Sequence, residues 1–217
     1  MKNLLTGFTL FISSFLVAQQ TEYVDFKTVE AQIKFEADSS LVKGDLTVSF
    51  YVQEKVDTIF IDAKNIISIE NPSISYTVTE FKGKRLKGID NRWNTDIEVG
   101  FNNSKIFIVY DFTENQGYKV RFDYVLNPSK ALYFLKRNSD WNIWTQGQGK
   151  YTSNWLPSID DVNDKIEFDL SINYDKDYEV LANGQLTDKQ INDSTVTWHY
   201  NMKKPMPSYL VALTIGK

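Results

Sequence analysis

The feature that most constrains this chain is an alternation of apolar and polar residues with a period of two. In Leu46-Thr47-Val48-Ser49-Phe50-Tyr51-Val52 the apolar Leu46, Val48, Phe50 and Val52 fall on one side, and Ile166-Glu167-Phe168-Asp169-Leu170-Ser171-Ile172-Asn173-Tyr174 alternates in the same way. Successive strand side chains point to opposite faces, so this pattern gives a half-buried strand; a helix would scatter the same residues around its circumference. Further segments rich in β-branched and aromatic residues are Val29–Phe35, Thr58–Asp62, Ile74–Phe81, Asp96–Phe101, Lys105–Phe112, Tyr118–Val125, Ala131–Leu135, Tyr178–Leu181, Thr195–Met202 and Ser208–Ile215. Turn formers such as Lys82-Gly83-Lys84, Asn102-Asn103, Asn115-Gln116-Gly117 and Asn183-Gly184 separate them. Strands at this spacing predict antiparallel sheets. No stretch of a dozen residues sustains a helical apolar stripe, so the expected fold class is all-β with low helix content. The unbroken apolar run Tyr209–Leu213, after Pro205 and Pro207, reads as a strand covered on both faces.

With 217 residues, 42% of them hydrophobic and 14% aromatic, the chain has material for one substantial core or two small ones. Its net charge of −4 offers no general basic surface, which argues against nucleic acid as a partner. Lys2 precedes an apolar stretch from Leu4 to Val17, and the small Ala18 stands before Gln19-Gln20. That is the layout of a secretory signal peptide over residues 1–18, cleaved near Ala18 or Gln19, ahead of a β domain over 20–217. The stretch falls short of the roughly 20 apolar residues that span a bilayer, and no later segment reaches that length, so no transmembrane segment is expected. The expected location is outside the cytoplasm: periplasmic, secreted or surface-associated. The chain has no cysteine, which removes disulfides, thiolate ligands and a lipid-attachment cysteine.

The chain contains one histidine, His199, and no His-Glu-x-x-His, so it does not supply the three or four ligands of a protein zinc site. Alternation places His199 with Thr195 and Thr197, as a strand-face histidine hydrogen-bonded to a neighbour. No Gly-x-Ser-x-Gly elbow accompanies it. Asp160, Asp161, Asp164, Glu167 and Asp169 could supply a glycosidase pair, although Glu167 and Asp169 fall on the polar face of an alternating strand and read as solvated charges. Trp141, Trp144 and Trp155, with Tyr133, Phe134 and Tyr151, concentrate aromatic area that is either core or a carbohydrate-binding face. Among them lies Thr145-Gln146-Gly147-Gln148, with two primary amides on alternate residues about a glycine.

Four stretches in order carry a resemblance: Trp144-Thr145-Gln146-Gly147-Gln148, Asn154-Trp155-Leu156-Pro157-Ser158-Ile159-Asp160, Tyr178-Glu179-Val180-Leu181-Ala182-Asn183-Gly184, and Trp198-His199-Tyr200 with Pro205-Met206-Pro207-Ser208-Tyr209-Leu210-Val211-Ala212. Together they resemble the N-terminal domain of zinc aminopeptidases of the aminopeptidase N and leukotriene hydrolase type. The resemblance implies a saddle-shaped antiparallel β domain that lines one wall of the substrate cleft of a following thermolysin-like domain. Gln146 and Gln148 are its implied substrate-binding residues, Gln146 bordering the first side-chain pocket and Gln148 holding the peptide's free amino terminus. Many relatives carry glutamate where Gln148 stands. The resemblance further implies zinc in a catalytic domain absent from this chain, with that domain packing near Ser208–Lys217, where an apolar patch is expected. No catalytic or metal-binding residue is assigned within the chain, and none is expected to turn over peptides alone. The competing reading is a stand-alone exported module that binds glycans or proteins through Trp141, Trp144 or Trp155.

Overall fold

The computed structural model describes residues 19–77, 80–81, 84–85 and 93–217. The apolar leader 1–18, and with it the signal-peptide expectation, lies outside the described residues, as do residues 78–79 of the Ile74–Phe81 expectation and 82–83 of the Lys82-Gly83-Lys84 turn. In chain order the strands are β1 (Val24–Glu36), β2 (Leu41–Val52), β3 (Val56–Asp62), β4 (Ile66–Thr77), β5 (Glu80–Phe81) and β6 (Lys84–Arg85). There follow β7 (Glu98–Phe101), β8 (Lys105–Phe112), β9 (Gln116–Leu126), β10 (Leu132–Arg137) and β11 (Asp140–Thr145). The last are β12 (Ile166–Asp175), β13 (Glu179–Ala182), β14 (Gln185–Ile191), β15 (Thr195–Met206) and β16 (Leu213–Gly216). Helix among the described residues is confined to 3-10 turns at Gln20–Glu22, Thr152–Asn154 and Ser208–Leu210. No helix of the described residues is long and apolar enough to cross a membrane.

The strands form a seven-stranded sheet in the order β14-β15-β12-β1-β2-β9-β4, a four-stranded sheet β10-β11-β16-β13, a three-stranded sheet β3-β8-β7 and a small β5-β6 pair. The alternation read in the sequence decides which face is buried. On β2 Leu46, Val48, Phe50 and Val52 are inside, and on β12 Ile166, Phe168, Leu170 and Ile172. β1 changes parity along its length: Phe26 is buried and then Val29, Ala31 and Ile33, because a bulge between Phe26 and Thr28 inserts one residue against β2. The two smaller sheets cover this apolar face and contribute to one core. Phe112 of β8 packs on Phe50 and Tyr118 at 5.7 and 5.1 Å between ring centres, and Phe134 of β10 meets Phe35 of β1 at 6.4 Å. The Tyr200 hydroxyl of β15 donates to the Val180 carbonyl of β13 at 2.7 Å. Each fully buried aliphatic or Phe side chain contributes roughly 1.5–3 kcal/mol relative to exposure.

Three features differ from the sequence reading. β1 and β12 pair in parallel, from Thr28 opposite Glu167 to Lys34 opposite Asn173, so the large sheet is mixed. The run Tyr209–Leu213 is not a doubly covered strand: the chain closes a 3-10 turn, with Leu210 N donating to Pro207 O at 3.1 Å and Val211 N to Ser208 O at 2.9 Å. Leu210 is exposed, and strand geometry resumes only at Leu213, where burial alternates. The third feature is three further strands, β6, β11 and β14. Pro205 sits in β15 beyond Asn201, where the pairing with β14 ends, and between Met202 and Met206, where the pairing with β12 is irregular, so no regular ladder there requires its missing N–H.

A close approach on the core face fixes one residue choice. A Cβ on Gly44 would stand 2.4 Å from the Tyr124 ring, which is 1% exposed. Gly44→Ala is therefore expected to lower stability in urea unfolding by about 1–3 kcal/mol, the usual effect of overpacking, and Gly44→Ala combined with Tyr124→Leu to recover part of it.

Candidate functional site

β11 runs out of the four-stranded sheet into the segment that carries the amides. Gln146 N donates to Ala131 O at 2.8 Å, which prolongs the pairing with the chain before β10 by one residue. Gly147 is buried, and a Cβ there would lie 2.7 Å from Thr152 Oγ1 and 2.8 Å from the Tyr209 carbonyl oxygen. The backbone thus presses against the 3-10 turn at Ser208–Leu210, and no side chain fits between them. Tyr151 N then donates to Gly147 O at 3.1 Å and closes a turn. Gln146 and Gln148, on either side of the buried glycine, are exposed. Neither side-chain amide has a hydrogen-bond partner among the described residues, so each retains a donor and an acceptor for a ligand. Lys130 lies over the Tyr151 ring at 5.1 Å, and Lys150 is exposed two residues beyond Gln148.

The four stretches singled out in the sequence meet here. Thr145 Oγ1 accepts from Leu213 N at 2.9 Å, and the Asn183 Oδ1 of the Asn183-Gly184 turn accepts from Ala212 N at 2.5 Å. Thr152 Oγ1 donates to Ser208 O at 2.8 Å in the interior. Ser208 Oγ in turn donates to Asp160 Oδ1 at 3.0 Å, and Asp160 N donates to Asp62 Oδ2 at 2.9 Å. Asp62 and Ser158 exchange backbone hydrogen bonds of 2.8 and 3.0 Å, which ties the Trp155-Leu156-Pro157-Ser158 segment to β3. Burial pushes the Asp62 carboxyl above its ordinary value, against the Asp160 N–H that it accepts. Asp160 and Asp62 are therefore a structural strap, and Asp62 was not marked by any pattern in the sequence.

The aromatic residues separate. Trp155 is fully buried, with its indole N–H unpartnered. Trp141 and Trp144, three apart on a strand, face opposite sides: Trp141 packs against the core, whereas Trp144 is exposed and stacks on Tyr133 with ring centres 4.3 Å apart. The three tryptophans do not form one face. His199 is a strand-face histidine whose Nδ1 shares a 2.7 Å hydrogen bond with Ser171 Oγ. Among the described residues no group of three or more His, Asp or Glu is placed to hold a metal ion. Of the carboxylates singled out in the sequence, Asp169 accepts from Asn201 Nδ2 at 2.6 Å, and Asp164 is strongly perturbed. Only 9% exposed, with Oδ2 unpartnered, it is pushed up to about 7 by burial and then by the negative charges of Asp25 and Asp161, with Lys27 opposing.

Comparison with known proteins gives the family context. The sequence model of the peptidase M1 N-terminal domain family matches residues 21–210. No curated protein sequence matches. Among solved structures, an M1 zinc metallopeptidase from Deinococcus radiodurans superposes with a TM-score of 0.67 at 14% identity, over 89% of this chain and 42% of that one. A mutant of a two-domain M1 zinc metallopeptidase bound to L-tryptophan gives 0.67 at 14%, over 89% and 43%. A mutant of the Deinococcus radiodurans enzyme bound to a Tyr-Ser-Ala substrate gives 0.66 at 14%, over 89% and 42%. The chain therefore spans about two fifths of the length of these structures, and at this identity they establish the shared β fold.

Two outcomes follow from the local geometry. Gly147→Ala is expected to force the Thr152 and Tyr209 segments apart and to cost about 1–3 kcal/mol by chemical denaturation. Limited proteolysis of that variant should cut near Lys150 faster than in the parent. Asp164 binds a proton in the folded chain between its ordinary value and about 7, so its contribution to stability is intact below about pH 4 and lost as pH rises towards 7. Asp164→Asn should accordingly be more stable than the parent at pH 8, by on the order of 2 kcal/mol, and should lose that advantage at pH 4. Thermal melts at the two pH values check this.

Proposed function

The chain belongs to the peptidase M1 N-terminal domain family, and from that premise we propose that it is the non-catalytic N-terminal domain of an exported zinc metallo-aminopeptidase. Gln146 and Gln148 line the substrate cleft and position the peptide's N-terminus for removal of N-terminal residues by a second domain. The observation that supports this reading is the site itself: four separate stretches are tied together by hydrogen bonds, and what they leave exposed and unsatisfied is a pair of amides. A glutamine carbonyl accepts from a peptide ammonium, and its NH₂ donates to a peptide carbonyl.

The residues of this chain do not fit a zinc site. Its single histidine, His199, engages Ser171 through Nδ1, and among the described residues no carboxylate cluster stands near it. Zinc, the general base and the hydrolytic step are accordingly assigned to the second domain, which packs near Ser208–Lys217, and export is assigned to the leader over residues 1–18. The structural neighbours, more than twice as long as the matched region, support a parent of that size.

The coding sequence beyond Lys217 tests the proposal: it should continue into a segment with His-Glu-x-x-His, and a reading frame that stops at Lys217 would sink it. On the longer chain, Gln148→Ala should lower kcat/KM for peptide substrates by about 3- to 10-fold, the size of one neutral hydrogen bond. Gln148→Glu should equal or exceed the parent, because an ammonium then meets a charged acceptor. Unchanged kinetics in both variants would remove Gln148 from the site.

A further inference from the structure

The outer face of the seven-stranded sheet carries a groove lined by polar side chains, and register sets them in rows. One row runs from His199 on β15 through Ser171, Gln32, Asp45 and Asp123 to Glu70 on β4, one residue from each of six strands. At the usual spacing between strands it extends about 24 Å. The row borders two cavities of about 700 and 350 Å³, which share Gln32, Asp45 and Ser171 and so run into one another. The outer face of a sheet is polar wherever it meets water, and polarity alone marks no ligand. Two other observations do. Trp93, 42% exposed, lines the smaller cavity, and its neighbour Asn94 fixes it there by exchanging two backbone hydrogen bonds of 2.8 Å with Ile74 of β4. The other tryptophans are engaged: Trp155 and Trp198 are buried, Trp141 lies under Lys136 at 4.9 Å, and Trp144 stacks on Tyr133. Trp93 has neither a ring nor a cation against it among the described residues, so a large apolar surface stays open beside a polar floor.

The charges of the groove, meanwhile, nearly cancel. Arg121 pairs with Asp45, Lys119 with Glu30 at 3.4 Å and Lys43 with Glu36 at 2.6 Å, while Asp123 accepts from Asn71 at 2.6 Å. Lys34, Glu70 and the Gln32 amide line the larger cavity and make no hydrogen bond or ion pair among the described residues. One free cation, one free anion and a free amide favour a neutral ligand rich in hydroxyls over a polyanion or a polycation. We infer that this groove binds a neutral oligosaccharide: one pyranose ring lays its C–H face on the Trp93 indole, and the sugars that follow lie along the row. Their hydroxyls donate to the Asp45 and Glu70 carboxylates and accept from the Gln32 amide and Lys34. The sequence directs attention to Trp141, Trp144 and Trp155 for glycan contact, but those three share no face, whereas Trp93 borders a groove. The groove lies on a different sheet from the segment that carries Gln146 and Gln148, and all its residues belong to this chain.

Isothermal titration calorimetry of the 217-residue chain with neutral hexasaccharides of glucose, mannose and N-acetylglucosamine, each at millimolar concentration, tests this. At least one should bind, and Trp93→Ala should weaken that binding at least about tenfold, as loss of a central aromatic contact does. Gln32→Ala should weaken it about 3- to 10-fold. Both side chains are exposed, so neither substitution should move the melting temperature. Trp144→Ala should leave the affinity unchanged. In proton–nitrogen correlation spectra the bound sugar should shift the Trp93 indole resonance and leave those of the buried Trp155 and Trp198 in place. Absence of binding by all of the hexasaccharides would overturn the inference, as would binding lost in Trp144→Ala and kept in Trp93→Ala. Binding of a sulfated polysaccharide or of an unstructured peptide in place of every neutral hexasaccharide would overturn it as well, because the groove would then recognise charge or backbone instead of hydroxyls.

Discussion

One constraint organises the molecule: a seven-stranded sheet with a single apolar face must have that face covered. Leu46, Val48, Phe50 and Val52 on β2 and the matching residues on β12 and β9 give the sheet more apolar area on one side than any loop could shield. Two small sheets provide the cover, one through Phe112 and the other through Phe134 and the Tyr200–Val180 hydrogen bond. The four-stranded sheet must then present its remaining face to something other than this core, and the candidate site grows from the end of one of its strands.

Around that site most of the signature residues do structural work. Thr145, Thr152, Asn183, Asp160 and Ser208 each spend their polar atoms on the backbone or on one another. Trp155 is buried beneath them, and Gly147 is a spacer that permits two segments to touch. The consequence is a division of labour within one short segment: the backbone is tied down by its neighbours, while the two side-chain amides stay exposed with their hydrogen-bonding capacity intact. Preorganisation of this kind reduces the ordering cost of binding, since the backbone carrying Gln146 is already fixed by its bond to Ala131.

Much of the fold was legible because alternation is a local signal. β2 and β12 were read within a few residues, and the inward faces followed from the same pattern. β14 was not legible, because every residue from Gln185 to Ile191 is exposed at the edge of the sheet and carries no burial pattern. β11 was hidden by tryptophans three apart, which land on opposite faces of a strand and mimic no period of two. The parallel pairing of β1 with β12 joins segments from opposite ends of the chain, and nothing local distinguishes it from an antiparallel pair. At the site, the exposed pair Gln146 and Gln148 was read from residue type, spacing and resemblance. The Asp62 strap and the row that aligns Tyr133, Trp144, Thr214 and Leu181 depend on register between distant strands, which a single sequence does not display.

The electrostatics of the amide pair bear on how such a site would be completed. A peptide ammonium placed against Gln148 meets a neutral acceptor, with the cationic Lys150 two residues away and Lys130 over the adjacent Tyr151 ring. The carboxylates next along the chain are already committed: Asp160 accepts from Ser208, and Asp161 from Asn163 N and Thr21. An amide can orient an ammonium group but cannot neutralise it, and charge-assisted acceptors bind such groups roughly twice as strongly. The local field therefore favours the polar backbone of a peptide more than its positive terminus. In the proposed site the amides would orient a ligand, and the countercharge for a bound amine would have to come from outside this segment.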